Sequence, residues 1–96
     1  MPEVQFHVEW PDGSQQVCYS PSLVVEEYFE AGRSYPVSEF VRLSREALGI
    51  ASDRVRARYG FPCTLAAASL AGIEQAAASF TPALPGDHVT VRAFRR

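Results

Sequence analysis

The chain has 96 residues, of which 47% are hydrophobic and 21% are charged, and its formal net charge is -2 at pH 7. This composition supports a core and excludes a disordered tail. The net charge is not positive, as nucleic-acid binding would favour. All nine basic residues are arginine, so no lysine of this chain can act in catalysis. We expect one domain over residues 1–96 and no nucleic-acid partner. We also expect a homodimer, because so small a core gains stability from self-association.

The first ten residues lack the basic and apolar segments of a signal peptide. No apolar run reaches the ~18 residues that a membrane-spanning helix needs. We therefore expect a cytoplasmic protein with no membrane partner. Thiols stay reduced in that compartment, so Cys18 and Cys63 are expected to be free.

Two strands joined by a tight turn open the chain. Apolar and polar residues alternate from Val4 to Trp10, which is typical of a strand with one buried face. Asp12-Gly13 favours a two-residue hairpin turn, and the returning strand ends at Pro21. A two-residue turn would set the cross-strand pairs Val8 with Val17, Phe6 with Tyr19, and His7 with Cys18.

The segment after Pro21 allows two interpretations. Residues 22–29 fit either a short helix capped at Ser22 or an extended arm of β-branched residues, and we expect an arm through Val25 followed by a turn. Residues 31–34 are predicted to form a loop.

The main helix is predicted to open at Tyr35-Pro36, since proline suits a first helical turn. From Val37 onward, apolar residues recur every three or four positions in one stripe. Gly49 lies within the stripe and could separate two helices. Because the stripe keeps its phase across Gly49, we expect one helix to about Tyr59, with Gly60 as its left-handed stop.

An alanine-rich helix is predicted next, from Cys63 or Thr64 to Phe80, with Thr81-Pro82 ending it. A turn at 84–87 then leads into a final strand over 88–94. The inward-facing residues of that strand are predicted to be Val89, Val91 and Ala93.

The predicted order of elements is β-β-α-α-β, which indicates an α+β fold. We place the last strand beside the first, which gives a small three-stranded sheet of order 2-1-3. The two helices are expected to cover one face of this sheet.

Cys63 is the first candidate for chemistry. It precedes a predicted helix, where free N–H groups and the helix dipole favour a thiolate. The alternative is a small buried apolar side chain in the joint between two helices.

Cys18 and His7 form the second candidate, because the predicted register would place the imidazole within reach of the thiol. The alternative is an ordinary solvated sheet face that includes a cysteine. A metal site would need both residues to converge with His88 and with Cys63 or Glu9. No pair of these ligands has the usual metal-site spacing, so we expect no metal and no cofactor.

Arginines are frequent on the main helix. Arg54 and Arg58 are four residues apart and therefore share a face, which makes them a candidate site for an anion or an acidic partner. The alternative is ordinary pairing with nearby carboxylates, because acidic residues are interleaved along the helix.

Four blocks of the sequence are distinctive: WPDGS (10–14), CYSPSLVV (18–25), EYFEAGRSYP (27–36) and IASDRVRARYGFPC (50–63). They resemble a family of small bacterial proteins named for the nitrogen starvation response. Members of that family are encoded beside a nitrilase, in a cluster that also contains a radical-SAM protein, an acetyltransferase and a flavoprotein. The resemblance implies an accessory role in that pathway, with enzymes of the same cluster as partners, and it identifies no site residue.

Three functions are consistent with these features. The expected one is a non-catalytic accessory protein of the nitrilase-containing cluster, because the chain lacks a recognisable catalytic signature. An exposed apolar patch around Tyr19 and Phe94 on the outer sheet face would support it. The alternatives are a small thiol-dependent enzyme or carrier, and a regulator that binds a small anionic ligand.

Overall fold

The structure is a computed structural model that describes residues 2–80 and 84–96. Within these residues, seven elements follow one another: β1 (Val4–Glu9), β2 (Gln15–Ser20), α1 (Val25–Tyr28), β3 (Ser34–Pro36), α2 (Val37–Tyr59), α3 (Thr64–Ala78) and β4 (His88–Arg95).

The strands form an antiparallel sheet of order β2-β1-β4-β3, and the helices cover one of its faces. The α+β class and the placement of the last strand beside the first are confirmed. The predicted three strands and the order 2-1-3 are wrong, because β3 adds a short strand at the edge beside β4. No helix within the described ranges is long and apolar enough to cross a membrane.

The turn between β1 and β2 is one residue longer than predicted. The Trp10 amide donates to the Ser14 carbonyl at 2.8 Å, and the Gly13 amide donates to the Trp10 carbonyl at 2.9 Å. Gly13 has a φ of 87°, as the third residue of such a loop requires. The Asp12 carboxylate accepts bonds from the Ser14 hydroxyl (2.6 Å) and amide (2.9 Å), which lower the pKa of Asp12. Pro11 suits the first central position of this turn.

The longer turn shifts every cross-strand pair by one residue. Phe6 lies opposite Cys18, and His7 lies opposite Val17. Cys18 is therefore buried in the core, whereas Val17 is 55% exposed on the open face of the sheet. The predicted pairing of His7 with Cys18 is wrong, because facing residues share a side of the sheet and those two residues do not face each other.

The segment after β2 turns into a short helix instead of continuing as an arm. Residues 21–24 form bends and turns, and α1 follows directly. Two buried serines supply hydrogen bonds to the backbone here. The Ser20 hydroxyl donates to the Ser22 carbonyl at 2.6 Å, and the Ser22 hydroxyl accepts from the Val24 amide at 3.3 Å. These bonds let the chain turn inside the core, which outweighs the β-propensity of its valines.

The main helix begins two residues later than predicted. Tyr35 and Pro36 belong to β3, and α2 starts at Val37 with Pro36 at its N-cap. The Tyr35 ring packs edge-on against Phe29 at 5.2 Å between ring centroids. This buried aromatic contact anchors β3 in the core, and backbone pairing joins residues 34–36 to β4. The continuous helix to Tyr59 and the left-handed stop at Gly60, with a φ of 84°, are confirmed.

The core is a layer of aromatic and aliphatic side chains between the sheet and the helices. Phe29 has its ring centroid 6.1 Å from that of Phe6 and 5.1 Å from that of Phe40. Trp10 packs edge-on against Phe40 at 5.7 Å and stacks on Phe80 at 5.9 Å. These contacts join β1, the α1 segment, α2 and the end of α3 in one cluster.

A β-bulge in β4 changes which side chains of that strand face the core. Val91 pairs with Val8, but Ala93 pairs with His7, so the intervening arginine is an extra residue. Ala93 therefore lies on the open face with His7, and Phe94 packs against the core. The predictions that Ala93 points inward and that Phe94 lies on the outer face are wrong for this reason.

The helix α3 covers the free edge of β2. The Tyr19 amide points away from β1 and donates to the Ser69 hydroxyl at 2.8 Å. Gly72 lies so close to β2 that a Cβ there would be 3.2 Å from the Gln16 side-chain nitrogen. An edge covered in this way cannot pair with another strand. The predicted turn at 84–87 is confirmed, and the expected helix stop at Thr81-Pro82 lies outside the described residues.

The same substitution should have opposite effects at Gly49, within α2, and at Gly60, which caps its C-terminus. Gly49 is inside the helix with open space around it, so Gly49→Ala should stabilise the fold by about 0.5–1 kcal/mol. Gly60→Ala should destabilise it by about 1–2 kcal/mol because of its positive φ. Urea unfolding of both variants checks the signs, and a Gly60→Ala variant as stable as the wild type would contradict the left-handed stop.

Candidate functional site

Cys18 is buried in the core, where ionisation of its thiol is disfavoured. Its side chain is 1% exposed and faces Phe6 within the core. Burial raises the pKa of its thiol to about 12, because a thiolate would lose its hydration there. Cys18 therefore stays protonated at neutral pH.

Cys63 lies where the sequence predicted it, at the N-cap of α3, and it is partly exposed. Its sulfur accepts a hydrogen bond from the Ala66 amide at 3.4 Å. The nearby Tyr19 hydroxyl donates to Glu3 at 3.0 Å. Burial raises the pKa of Tyr19 to about 12, helped by Glu3 and by Cys63, so this phenol remains neutral.

His7 lies on the open face of the sheet with Val17 and Ala93 as its cross-strand neighbours. Its Nε2 atom is buried and makes no hydrogen bond to any described residue. Neither cysteine is opposite it in the sheet. In residues 2–80 and 84–96, no three His, Cys, Asp or Glu side chains come together as metal ligands would.

Arg54 and Arg58 do come together, in a groove of about 540 Å³. The groove runs between the last turns of α2, the turn before α1 and the N-terminal segment. Its lining residues are Pro2, Ser22, Leu23, Arg54, Ala57 and Arg58. We call this feature the arginine groove.

One guanidinium of the arginine groove is held in place by a buried hydroxyl. Nη1 of Arg54 donates to the Ser22 hydroxyl oxygen at 3.0 Å, and Ser22 is only 5% exposed. The guanidinium carbon of Arg58 lies 5.7 Å from the centroid of the Tyr59 ring. Within the described chain, neither arginine has a carboxylate within ion-pair distance.

The rest of the groove was missed by sequence reasoning. Pro2, Ser22 and Leu23 reach it only because the chain turns after β2 and brings the start of α1 beside the end of α2. The sequence signal in this region is Pro21, which predicts the end of a strand and gives no indication of a wall of a site.

A second surface feature lies at the connection between α2 and α3. Three large side chains there are more than half exposed: Tyr59 at 52%, Phe61 at 65% and Leu65 at 59%. We call residues 59–65 the helical connection. The exposed patch expected around Tyr19 and Phe94 is not formed, since Tyr19 is half-buried and Phe94 packs on the core.

A scan against protein-family models matches residues 5–94 to the family described as nitrogen starvation-induced protein NitG. The chain belongs to the NitG family. This match confirms the resemblance to nitrogen starvation proteins, and it covers nearly the whole of this chain. Searches of curated proteins and of solved structures find no match.

The two thiols of this NitG-family chain should differ in reactivity. With iodoacetamide at neutral pH, we expect Cys63 to be alkylated in the native protein and Cys18 only after unfolding. The reason is that Cys18 is buried and has a raised pKa. Peptide mass spectrometry measures both sites, with Cys63→Ser as the control that removes native labelling. Alkylation of Cys18 in the native protein at a rate similar to that of Cys63 would contradict the core position of Cys18.

Proposed function

We propose that this protein is a non-catalytic accessory protein that binds enzymes encoded with it in a nitrilase-containing cluster during nitrogen starvation. Family membership supports the physiological setting. The observation that carries the binding role is the helical connection, with its three exposed large side chains.

The helical connection has the composition of a binding surface. Single exposed apolar residues are normal on protein surfaces, but here an aromatic ring and a leucine are exposed within five residues. Aromatic side chains are enriched at the centres of interfaces. Transfer of a large apolar side chain from water to a fully buried position contributes about 1.5–3 kcal/mol. Phe61 and Leu65 together could therefore supply a large part of a specific affinity.

The charges beside the helical connection favour a partner with acidic groups. Arg56 and Arg58 occupy the last turn of α2, and no carboxylate in the described chain pairs with them. Exposed arginines around an apolar centre select a partner with carboxylates at matching positions and speed its association. We therefore propose an acidic rim around an apolar pocket on the partner enzyme.

Self-association is also part of the proposal. Among the described elements, the helices lie on one face of the sheet only, which leaves the face of His7 and Val17 open. A homodimer through this open face would bury Val17, which is 55% exposed. It would also extend a core that is small for an independent domain.

The alternative function is that of a thiol-dependent enzyme or carrier that uses Cys63. The observation that favours it is the position of the sulfur at the first turn of α3, bonded to the Ala66 amide. Alkylation of Cys63 at pH 6 that is faster in the native protein than in the unfolded chain would support this alternative. Labelling of Cys63 only after unfolding would contradict it.

The accessory role predicts that the helical connection is needed for complex formation. We expect the purified protein to bind an enzyme of its cluster and Phe61→Glu/Leu65→Glu to weaken that binding at least about tenfold, because two apolar anchors would be replaced by charges. The matched control is Leu84→Glu, since Leu84 is 68% exposed but lies past the far end of α3. Calorimetric titration with each purified cluster enzyme measures the effect.

Two results would contradict this proposal: no binding to any enzyme of the cluster, or equal binding by the double variant and the wild type. Sedimentation of the protein alone gives its oligomeric state in the same series. A dimer that Val17→Glu dissociates would support self-association through the open face, and a monomer at all concentrations would contradict it.

A further inference from the structure

We propose that the arginine groove binds a small organic oxyanion, a carboxylate or phosphate attached to a short apolar body. This site adjoins the helical connection without including Phe61 or Leu65, and it adds ligand binding to the accessory role. The groove's volume of about 540 Å³ lies within the range of about 300–1,000 Å³ that small-molecule sites occupy.

No carboxylate of residues 2–80 and 84–96 forms an ion pair with the two arginines of the groove. Along the first half of α2, Arg42 pairs with Glu39 at 2.7 Å and with Glu46 at 3.3 Å. Arg54 and Arg58 are instead each other's neighbours at i,i+4, and like charges at that spacing destabilise a helix. Ordinary pairing along the helix therefore does not explain these two arginines.

The sequence around the two arginines offers no local carboxylate. The residues three or four positions from Arg54 are alanines, an isoleucine and Arg58, and those preceding Arg58 at the same spacings are Arg54 and Val55. Asp53 is adjacent in sequence to Arg54 and points to another side of the helix, because neighbouring residues on a helix do not face each other. An oxyanion bound between the two guanidinium groups would remove their repulsion.

Ser22 makes one side of the site rigid. It is 5% exposed, and its hydroxyl oxygen accepts from both the Val24 amide at 3.3 Å and Nη1 of Arg54 at 3.0 Å. One N–H of Arg54 is thus committed to a fixed partner, and its other donors remain available. A guanidinium held in this way loses less entropy when it binds a carboxylate or phosphate. Ser22 acts as a positioning residue for Arg54.

The remaining wall of the arginine groove is apolar. Pro2, Leu23 and Ala57 line it beside the two charged groups. A free inorganic anion would leave this wall in contact with water, whereas a ligand with a short hydrocarbon or aromatic body would cover it. The groove therefore fits a ligand that has an oxyanion at one end and an apolar body at the other.

The test is a titration of the ¹⁵N-labelled protein followed by NMR. The probes are hexanoate and hexyl phosphate, with hexanamide as the uncharged control and acetate and inorganic phosphate as controls without the apolar body. We expect hexanoate or hexyl phosphate to give saturable shifts at the amides of Ser22, Leu23 and Ala57. The tighter of the two probes identifies the oxyanion as carboxylate or phosphate.

Variants assign the binding to the two guanidinium groups. Arg54→Gln/Arg58→Gln and the single variant Arg58→Gln should each weaken binding, the double variant by about tenfold or more. The matched control is Arg56→Gln, on the same helical turn but outside the groove, which should keep the affinity within about twofold. Arg58→Gln removes a like-charge neighbour and breaks no hydrogen bond of the described structure, but it also removes the contact with the Tyr59 ring. Its melting temperature should therefore stay close to that of the wild type.

Four results would overturn the proposal: no saturable shift with any probe, equal affinity for hexanamide, affinity for acetate or inorganic phosphate equal to that for the hexyl probes, or equal losses in Arg56→Gln and the double variant. None of these results depends on Phe61 or Leu65. A failure here is therefore distinguishable from a failure of the helical connection to bind a partner.

Discussion

The turn from Trp10 to Ser14 determines the placement of the side chains in the first two strands. Its three-residue loop, closed by the bond from the Trp10 amide to the Ser14 carbonyl, pairs Phe6 with Cys18. A loop one residue shorter would reverse the faces of β2 relative to β1, because side chains alternate along a strand. Cys18 would then lie on the open face and Val17 in the core. The length of this one turn thus decides whether Cys18 is buried.

As a result, the sheet does not bring the candidate reactive residues Cys18 and His7 together. Cys18 is removed into the core, and His7 is left beside Val17 and Ala93 on the open face. The features proposed to bind a small ligand or a partner enzyme lie at the C-terminal end of α2, where the arginine groove and the helical connection adjoin. Both depend on the uninterrupted length of α2, since a helix ending at Gly49 would not carry either one to this position.

Much of the fold follows from local sequence patterns. The sequence-based predictions that are wrong share one physical cause. The apolar stripe predicted α2 through Gly49, and the spacing of Arg54 and Arg58 predicted their shared face, because both patterns depend only on helical geometry. The turn type, the α1 segment, β3 and the bulge of β4 depend on tertiary contacts, such as the packing of Tyr35 on Phe29. Local propensity does not contain those contacts. For the same reason, the sequence predicted the charges of the groove but not its walls.

The strand register is the claim that most directly decides this account, and NMR measures it. The bond at Trp10 and Ser14 makes their pair hydrogen-bonded, so alternate pairs along the hairpin are non-hydrogen-bonded and bring their Hα atoms closest together. The account predicts strong Hα–Hα Overhauser contacts between His7 and Val17 and between Gln5 and Tyr19. Contacts between Val8 and Val17 and between Phe6 and Tyr19 would instead show a two-residue turn, and would return Cys18 to the face of His7.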